Sequence, residues 1–309
     1  MCGGLTQGQL QGEEVIWIVV ILLAILVVVA GASALSRRSP VVIEAPARIE
    51  GVDAVRGEAP RSAPLPVILV HGLFGFDRVG RFYYFRGIAA HLETLGCHAH
   101  AVKLARAASV PERARMLVDA IDKLGHAKID LVAHSMGGLD ARYALTHFGL
   151  ASKVRSLVTV GTPHRGSPIA DLATEGPLGV ARRAIAAVGV PMDAVDWLTT
   201  TALERFNKEV PDVAGVRYAC VVGGIREATT PVPLAIQPVH AYLRRVAGAN
   251  DGLVPMSSQY WGETLAEIEA DHFAQIGWHL GRRTFDANGL YAFVIARLGD
   301  HPAATRVLA

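Results

Sequence analysis

The chain has 309 residues, 51% of which are hydrophobic, and its formal net charge at neutral pH is +2. This length allows one large α/β domain or two small ones. Because the net charge is small and the basic residues are scattered, the sequence lacks the clustered basic face of nucleic-acid-binding proteins. Three cysteines with no C-x-x-C pair argue against a disulfide framework and against a cysteine-based zinc or redox site.

An uncharged apolar stretch, VIWIVVILLAILVVVAGASAL, covers residues 15–35. A helix of this length crosses a hydrocarbon core of about 30 Å. Two glutamates precede the stretch and two arginines follow it, which favours a retained single-pass anchor over a signal peptide cleaved at the ASA of residues 32–34. The arginines favour a cytoplasmic location for the following domain; a periplasmic or secreted domain is the alternative. We expect an N-terminal tail (1–14), a transmembrane helix (15–35) and a linker (36–64).

Strand-like and helix-like segments alternate through residues 65–309, which we assign to one domain. The segment 109–125 carries Ser109 and Glu112, a capping-box signature, and ends at Gly125. Such alternation predicts an α/β fold with a mostly parallel central sheet and helices on both faces. We predict strands in residues 66–72, 97–104, 128–133, 154–161 and 217–224, and helices in residues 82–96, 109–125 and directly after residue 135.

The alternation is interrupted at about residues 172–212, where the sequence is helical and amphipathic. An insertion of this kind is either a lid with an apolar inner face or an ordinary packed helix pair. We predict a helical lid here.

Two smaller features also have alternative interpretations. The aromatic segment RFYYFR, residues 81–86, either lines an acyl pocket or fixes a helix on the sheet, and packing is the more common role. His98 and His100 share a face if they lie on a strand, but no third metal ligand is evident nearby. We predict no metal site.

Ser135 lies in LVAHSMGG, residues 131–138, where an apolar strand stops and a helix is predicted to start. A strand, a sharp turn and a helix place the middle residue at the carboxyl edge of a parallel sheet, where ligands bind. The turn needs small residues two positions away on each side, and Ala133 and Gly137 meet this requirement. The pattern A-x-S-x-G is a variant of the G-x-S-x-G nucleophile elbow, and it predicts that Ser135 is a catalytic nucleophile.

A serine nucleophile needs a base, and in a fold with this elbow an acid and then a histidine follow the serine along the chain. Asp251 lies in GANDGLVP, a turn-rich stretch, and His272 follows in EADHFAQIG. We assign His272 as general base and acid, and Asp251 as the carboxylate that orients it. The alternatives are a turn-forming Asp-Gly at Asp251 and a surface histidine at His272. The other histidines after Ser135 are His147, His164, His240, His279 and His301.

An oxyanion that develops during acyl transfer needs preorganised donors. We predict that the backbone N–H of Met136, at the start of the helix, is one donor and that of Leu73, in the loop after the first strand, is the other. Phe74 and His134, which adjoin Leu73 and Ser135, are predicted to contact substrate.

Taken together, these segments resemble the bacterial true lipases of the Pseudomonas and Burkholderia type. The resemblance covers roughly residues 65–298 and is densest between residues 66 and 171. It implies an α/β-hydrolase fold with a helical lid, the triad of Ser135, Asp251 and His272, and a structural role for His164. The matching segments are PVILVHGLFG, IDLVAHSMGGLDARY, VTVGTPHRGSPIAD and NDGLVP.

Two departures from that family concern its structural calcium and its disulfide. The family has a calcium-binding aspartate two residues after the catalytic histidine, where this chain has Ala274. The other calcium-binding aspartate of the family falls in ATTPVPL, residues 228–234, which has no carboxylate. Secreted members often carry a disulfide, for which this chain offers no convincing pair. We therefore predict no calcium, no other metal and no cofactor, and the loss of both features favours a reducing compartment.

The function we predict is that of a membrane-anchored serine hydrolase that cleaves lipid or other apolar acyl esters through an acyl-enzyme. Its partners are then the ester substrate and, through the N-terminal helix, the membrane; nucleic acid is excluded, and the sequence does not determine the oligomeric state. One alternative is a polyhydroxyalkanoate depolymerase or an acyltransferase on the same fold. The other is a catalytically inactive, membrane-tethered binding module.

Overall fold

A parallel sheet of six strands forms the centre of the molecule, and two short strands form a separate antiparallel hairpin. The computed structural model describes residues 65–75, 78–79, 82–174, 179, 193–226, 232–234, 236–279 and 285–298. In chain order the strands are β1 (Val67–Val70), β2 (Arg78–Val79), β3 (Phe82–Tyr83), β4 (Ala99–Ala101), β5 (Ile129–His134), β6 (Val154–Val160), β7 (Arg217–Gly223) and β8 (Glu263–Ile268). The order in the sheet is β4-β1-β5-β6-β7-β8, and β2 pairs with β3.

Helices connect most of the strands and pack on both faces of the sheet, which confirms the predicted α/β architecture. In chain order they are α1 (Ile88–Thr94), α2 (Val110–Leu124), α3 (Gly137–His147), α4 (Pro168–Thr174), α5 (Asp193–Asp196), α6 (Thr200–Glu209), α7 (Gln237–Ala247), α8 (Met256–Gln259) and α9 (Ala287–Arg297). One-turn 3₁₀ helices occupy Leu150–Ser152 and Ala274–Ile276.

The ends of α2 follow the sequence signals. The Ser109 side chain accepts from the Glu112 backbone N–H, and the Glu112 carboxylate accepts from the Ser109 N–H, so two free donors of the first turn are satisfied. Gly125 ends the helix in the left-handed conformation, with φ of 73°.

The helix predicted over residues 82–96 is only partly present. Phe82–Tyr83 form β3 instead, and α1 begins at Ile88. Gly87 has φ of 75°, a left-handed conformation that is incompatible with the interior of a helix. The pairing of β3 with β2 therefore prevails over the local helical pattern.

Successive residues of the strands supply the two halves of the core. In β1, Val67 and Leu69 pack with apolar side chains of α1 and α9 on one face. Ile68 and Val70 pack with those of α2 and α3 on the other. Because both faces are covered, β1 and β5 are buried along their whole length, which explains the continuous apolar sequence of β1 and the apolar run Leu131–Ala133 of β5.

A crevice at the carboxyl edge of the sheet follows from the order of the strands. After β1 the chain adds β4 on one side, then returns to add β5 on the other side of β1. The connections therefore diverge between β1 and β5, which is the usual position of a ligand site in an open α/β sheet. Ser135 directly follows β5, and Gly72 and Leu73 follow β1.

The predicted lid region, about residues 172–212, lies partly outside the described residues. Its described part contains α5 and α6, whose Ala194, Leu203 and Phe206 pack against Met136 and Leu139 beside the elbow. The lid therefore stays a prediction.

The predicted tail, transmembrane helix and linker, residues 1–64, also lie outside the described residues. Within the part that is described, every helix is too short or too polar to cross a membrane.

Candidate active site

Ser135 occupies a strained turn between β5 and α3. Its φ is 56°, a left-handed value that is uncommon for residues other than glycine and is retained only where the surroundings enforce it. The Ser135 N–H donates to the carbonyl of Val160 at 2.9 Å, and the Thr162 hydroxyl donates to the Ser135 carbonyl at 2.7 Å. Contacts from both directions therefore hold the serine backbone in this conformation.

Small residues give the turn its space. A Cβ on Gly137 would lie 2.6 Å from the carbonyl oxygen of Val70. A Cβ on Gly72 would lie 2.7 Å from Cβ of Ser135 and 3.0 Å from its Oγ. Ala133, where the usual elbow has glycine, is fully buried in the core, and the turn still forms. The loop after β1 therefore lies directly against Ser135.

Asp251 and His272 meet at the same edge of the sheet. The Nδ1 atom of His272 is 2.7 Å from Oδ2 of Asp251, and the His272 backbone N–H donates to the Asp251 carbonyl at 2.8 Å. Asp251 is fully buried and His272 is 5% exposed. Two segments that are far apart in the sequence are thus joined by both a backbone and a side-chain hydrogen bond.

The Asp251 carboxylate has a complete set of donors. Its Oδ1 accepts from the backbone N–H groups of Leu253 at 3.0 Å and Val254 at 2.7 Å. Its Oδ2 accepts from the side-chain amides of Gln275 at 3.1 Å and Gln259 at 3.3 Å, besides His272. Because hydrogen bonds to a carboxylate favour its ionised form, these contacts favour a charged Asp251 despite its burial.

A charged Asp251 fixes the protonation of a neutral His272. The carboxylate accepts only, so we assign the proton of His272 to Nδ1, which leaves Nε2 as a free base. The Ser135 hydroxyl has no hydrogen bond to any other described residue, so the contact between Ser135 and His272 is not closed in this conformation. Catalytic hydrogen bonds often close only when substrate binds.

Two backbone N–H groups beside Ser135 are available as donors to a ligand. Neither the N–H of Leu73 nor that of Met136 has an acceptor among the described residues. Met136 is the N-cap of α3, where the helix dipole favours negative charge. These are the two groups that the sequence predicts as oxyanion donors.

The loop that carries Leu73 is held from behind by buried side chains. Arg113 of α2 donates to the carbonyl oxygens of His71 at 2.7 Å and Gly72 at 3.3 Å. The His71 ring bonds the Gly72 carbonyl through Nδ1 and accepts from the Leu104 N–H through Nε2, at 2.9 Å and 3.0 Å. Both carbonyls of the loop are thereby turned toward the protein interior.

A buried ion pair connects that loop to the helix of the elbow. Arg113 Nη2 and Asp140 Oδ2 are 2.8 Å apart, and both side chains are fully buried. The helix α3 begins directly after the predicted donor Met136, and Asp140 lies in its first turn. The pair therefore ties together the two segments that carry the N–H groups of Leu73 and Met136.

Phe74 and Leu73 form one wall of an apolar cluster near the site. They pack with Ala170 of α4, Val195 of α5 and Leu198. Phe74 is half-buried and has φ of 55°, and its N–H donates to the Arg106 carbonyl at 2.7 Å. The predicted substrate-contacting side chain thus lies between the oxyanion loop and the described part of the lid region.

His134 lies beneath the site, which argues against the direct contact with substrate that the sequence predicts. It is fully buried, its ring centroid is 4.5 Å from that of His272, and its Nδ1 is 2.8 Å from the Tyr84 hydroxyl. The Tyr84 oxygen accepts from the Gly72 N–H at 3.2 Å, so it can donate its own proton to His134. Burial lowers the pKa of His134 well below its usual value, and the ring is neutral.

The remaining candidates lie away from Ser135 or outside the described residues. His164 is buried, bonds the Thr159 hydroxyl at 3.0 Å and stacks on Trp261, and His147 and His279 are exposed. His240 is buried on α7. His301 falls outside the described residues.

Among the residues that the structure describes, no three metal-ligating side chains come together. The predicted absence of calcium and other metals stays a prediction, because several segments are not described.

Sequence reasoning missed Arg113, Tyr84 and Gln275. Arg113 is in the buried stripe of an amphipathic helix, where a charged residue is a signal of a paired site. Tyr84 lies in RFYYFR, for which packing was the favoured interpretation. Gln275 carries no local signal, because its role depends on contacts with distant strands.

Comparisons with known proteins agree with the fold. The model of a family described as the alpha/beta hydrolase fold matches residues 107–223. The triacylglycerol lipase of Pseudomonas fragi is 29% identical over 264 residues, covering 70% of this chain and 89% of that protein. That of Burkholderia plantarii is 26% identical over 312 residues, covering 78% and 87%. The crystal structure of the mature lipase BlEst2 of Bacillus licheniformis is 27% identical, with a TM-score of 0.58 and coverage of 71% and 89%.

The buried histidines make the fold sensitive to acid. Burial lowers the pKa of His71 to about 3, and those of His134 and His164 well below the usual value. The folded protein keeps them neutral while the unfolded chain binds protons below pH 6.5, so their contribution to stability is complete above pH 6.5 and is lost as the pH falls. At pH 5.5 each lowers the free energy of unfolding by roughly 1 kcal/mol. Burial raises the pKa of Asp140 to about 6, which partly opposes this loss.

The test compares urea unfolding of the wild type and His164→Gln at pH 7.5 and pH 5.5. The loss of stability between the two pH values should be smaller in the variant by roughly 1 kcal/mol, since one proton-binding difference is removed. An equal loss in both proteins would show that His164 is not held neutral in the fold.

Proposed function

We propose that this chain, a carboxylic ester hydrolase with the α/β-hydrolase fold and similar to triacylglycerol lipases, cleaves lipid or other apolar acyl esters through an acyl-enzyme at Ser135. The observation that carries the assignment of residues is the buried hydrogen bond between Asp251 and His272, at the edge of the sheet where Ser135 lies. In this proposal Ser135 is the nucleophile, His272 the general base and acid, and Asp251 the orienting carboxylate.

Acylation begins when Nε2 of His272 takes the proton of the Ser135 hydroxyl and Oγ attacks the ester carbonyl carbon. The carbonyl oxygen becomes an oxyanion and accepts from the N–H groups of Leu73 and Met136, which have no acceptor within the described chain. The carbon–oxygen bond to the alcohol then breaks, and the alcohol leaves with the proton from His272. The product is an ester between Ser135 and the acyl group.

Deacylation repeats these steps with water. His272 takes a proton from water, and the hydroxide attacks the acyl carbon of the acyl-enzyme. Collapse of the second tetrahedral intermediate returns a proton from His272 to Ser135 and releases the carboxylic acid. In both steps the transient imidazolium is stabilised by Asp251, whose backbone and amide donors keep it charged.

The apolar cluster supports an apolar acyl group as the substrate. Leu73 and Phe74 are partly exposed, and they adjoin the oxyanion loop and pack with α4 and α5. An acyl chain laid against Phe74 removes apolar surface from water, which favours longer chains over acetyl. The lipase names of the relatives agree with this substrate class.

The N-terminal segment supports a further proposal, which rests on the sequence alone. Residues 15–35 are uncharged and long enough to cross a bilayer, and they lie outside the described residues. We propose that they anchor the enzyme, with Arg37 and Arg38 and the catalytic domain on the cytoplasmic side.

Replacement of the nucleophile tests the chemistry. Ser135→Ala should lose labelling by a fluorophosphonate probe, and its kcat for p-nitrophenyl butyrate should fall by about 10⁴-fold or more because no acyl-enzyme can form. Ser156→Ala, a buried serine near the opposite edge of the sheet, is the matched control and should label like the wild type. Full labelling of Ser135→Ala would exclude Ser135 as the nucleophile.

Phe74→Ala tests the acyl-binding surface. The variant should lower kcat/KM for p-nitrophenyl decanoate about 5- to 30-fold relative to p-nitrophenyl acetate, because a half-buried aromatic ring contributes about 1–2 kcal/mol of apolar contact. Leu124→Ala at the far end of α2 removes an exposed apolar side chain away from the site and should not change the ratio. Equal losses on both esters would place the acyl chain elsewhere.

Membrane anchoring is tested with the full chain and a chain that lacks residues 1–40, both expressed in bacteria. The full chain should sediment with membranes and resist carbonate extraction, whereas the shortened chain should not. In spheroplasts, external protease should leave the domain intact if it is cytoplasmic. Extraction of the full chain by carbonate would refute the anchor, and digestion in spheroplasts would refute the orientation.

A further inference from the structure

A side-chain amide fills a slot between the ends of two central strands. A Cβ on Gly161, directly after β6, would overlap with Oε1 of Gln275, and a Cβ on Gly223, the last residue of β7, would overlap with its Nε2. Gly161 also has a left-handed φ of 60°, which gives it a second reason to be glycine. Gly223 does not have a left-handed φ. The absence of a side chain at Gly223 therefore serves to leave space for the Gln275 amide.

Gln275 connects the segment of His272 to Asp251. It lies in the one-turn 3₁₀ helix directly after His272, and its backbone N–H donates to the Asp271 carbonyl at 3.2 Å. Its amide Nε2 donates to Oδ2 of Asp251 at 3.1 Å, the same oxygen that accepts from His272. Gln275 therefore restrains the carboxylate from the side opposite to its backbone donors.

The other end of the amide faces His134. Oε1 of Gln275 and Nε2 of His134 are both fully buried, and neither has a hydrogen-bond partner in the described part of the chain. The Gln275 side chain and the His272 backbone both oppose the effect of burial on the pKa of that ring. Since Tyr84 can donate to Nδ1 of His134, we assign the histidine proton to Nε2.

We propose that Gln275 is a positioning residue for ester hydrolysis, whose amide aligns the Asp251 carboxylate with His272. The inference rests on the proposed function, since it assumes that Asp251 and His272 act on Ser135.

Gln259 does not have the positioning role that we propose for Gln275. It also donates to Asp251, at 3.3 Å, but its amide mainly brackets the backbone of Gly223, with distances of 2.7 Å and 2.9 Å. Gln259 therefore holds the end of β7, whereas Gln275 holds the carboxylate and the segment of the histidine together.

The pH profile of kcat/KM distinguishes a positioning role from a structural one. Its acid limb reports protonation of His272 in the free enzyme. The other titratable groups around the pair are His134 on β5, His240 on α7 and Asp271; burial lowers the pKa of both histidines and raises that of Asp271. Burial thus favours the neutral form of both histidines.

The first test replaces Gln275 by methionine, which has a similar length and no hydrogen bonds. Loss of the amide donor leaves more negative charge on Asp251 and strengthens its attraction for the imidazolium, so the acid limb should move up by about half a pH unit or more. The kcat should fall about 10- to 100-fold, the range for one lost hydrogen bond to a charged group, with KM within about threefold. Gln275→Glu, which adds a second negative charge beside Asp251, should move the limb further in the same direction.

The matched control is Ser156→Ala, which removes a buried donor to the Asp130 carboxylate near the other edge of the sheet. It should lower the melting temperature without moving the acid limb. Gly223→Ala should displace the Gln275 amide and reproduce the shift, and combining it with Gln275→Met should add little.

The outcomes separate the two proposals. If wild-type hydrolysis does not depend on Ser135, the proposed function fails. If it does, but Gln275→Met behaves like Ser156→Ala, with reduced stability and an unmoved acid limb, the role of Gln275 alone is refuted. If Gln275→Met is too unstable to assay, Gln275→Glu and Gly223→Ala test the role of Gln275 instead. An unmoved acid limb in both of these variants refutes that role.

Discussion

The buried Asp251 carboxylate is the constraint on which the site depends. A charge removed from water is stable only if hydrogen bonds or an opposite charge replace the water, and the described donors to Asp251 are two backbone N–H groups, two amides and His272. These donors come from the loop after Asp251 itself, from α8 and from the segment after β8. Satisfying one carboxylate therefore determines how the ends of β7 and β8 are arranged, and that arrangement places His272.

The strained turn at Ser135 requires a second set of stabilising contacts. A left-handed serine is strained, and the structure holds it with hydrogen bonds from β6 and the following loop, and with glycines where a side chain would collide. On the side of the oxyanion loop, Arg113 satisfies the inward-facing carbonyls and pairs with Asp140. Removal of either partner would leave an uncompensated buried charge, so the two halves of the oxyanion site are stabilised as one unit.

The layer beneath the site is polar, and its charged members are Asp251 and the buried Arg113–Asp140 pair. His71 and His134 are buried and neutral, and they act as hydrogen-bonding groups that fix the loops around Ser135. Above this layer, Phe74 and the residues of α4 and α5 form an apolar surface. Between the two lie the N–H groups of Leu73 and Met136, which have no acceptor within the described chain and have the character that an oxyanion requires.

The sequence by itself determined the features that depend on neighbouring residues. The pattern A-x-S-x-G predicted the turn at Ser135, because small residues at a spacing of two are a local steric requirement, and Ser109 with Glu112 predicted the start of α2. The alternation of apolar runs predicted a parallel sheet with covered faces. The chain order of serine, acid and histidine was sufficient to nominate Asp251 and His272, although not to establish their contact.

Only the tertiary structure decided the features that arise between distant segments. It turned Phe82–Tyr83 into a strand, because pairing with β2 outweighed the local helical pattern. It placed His134 beneath the site, and it brought Arg113, Tyr84 and Gln275 to Ser135 and Asp251 from segments with no motif of their own. The physical reason is that burial and hydrogen-bond partners of a polar side chain are set by what packs across the sheet, which the chain order does not specify.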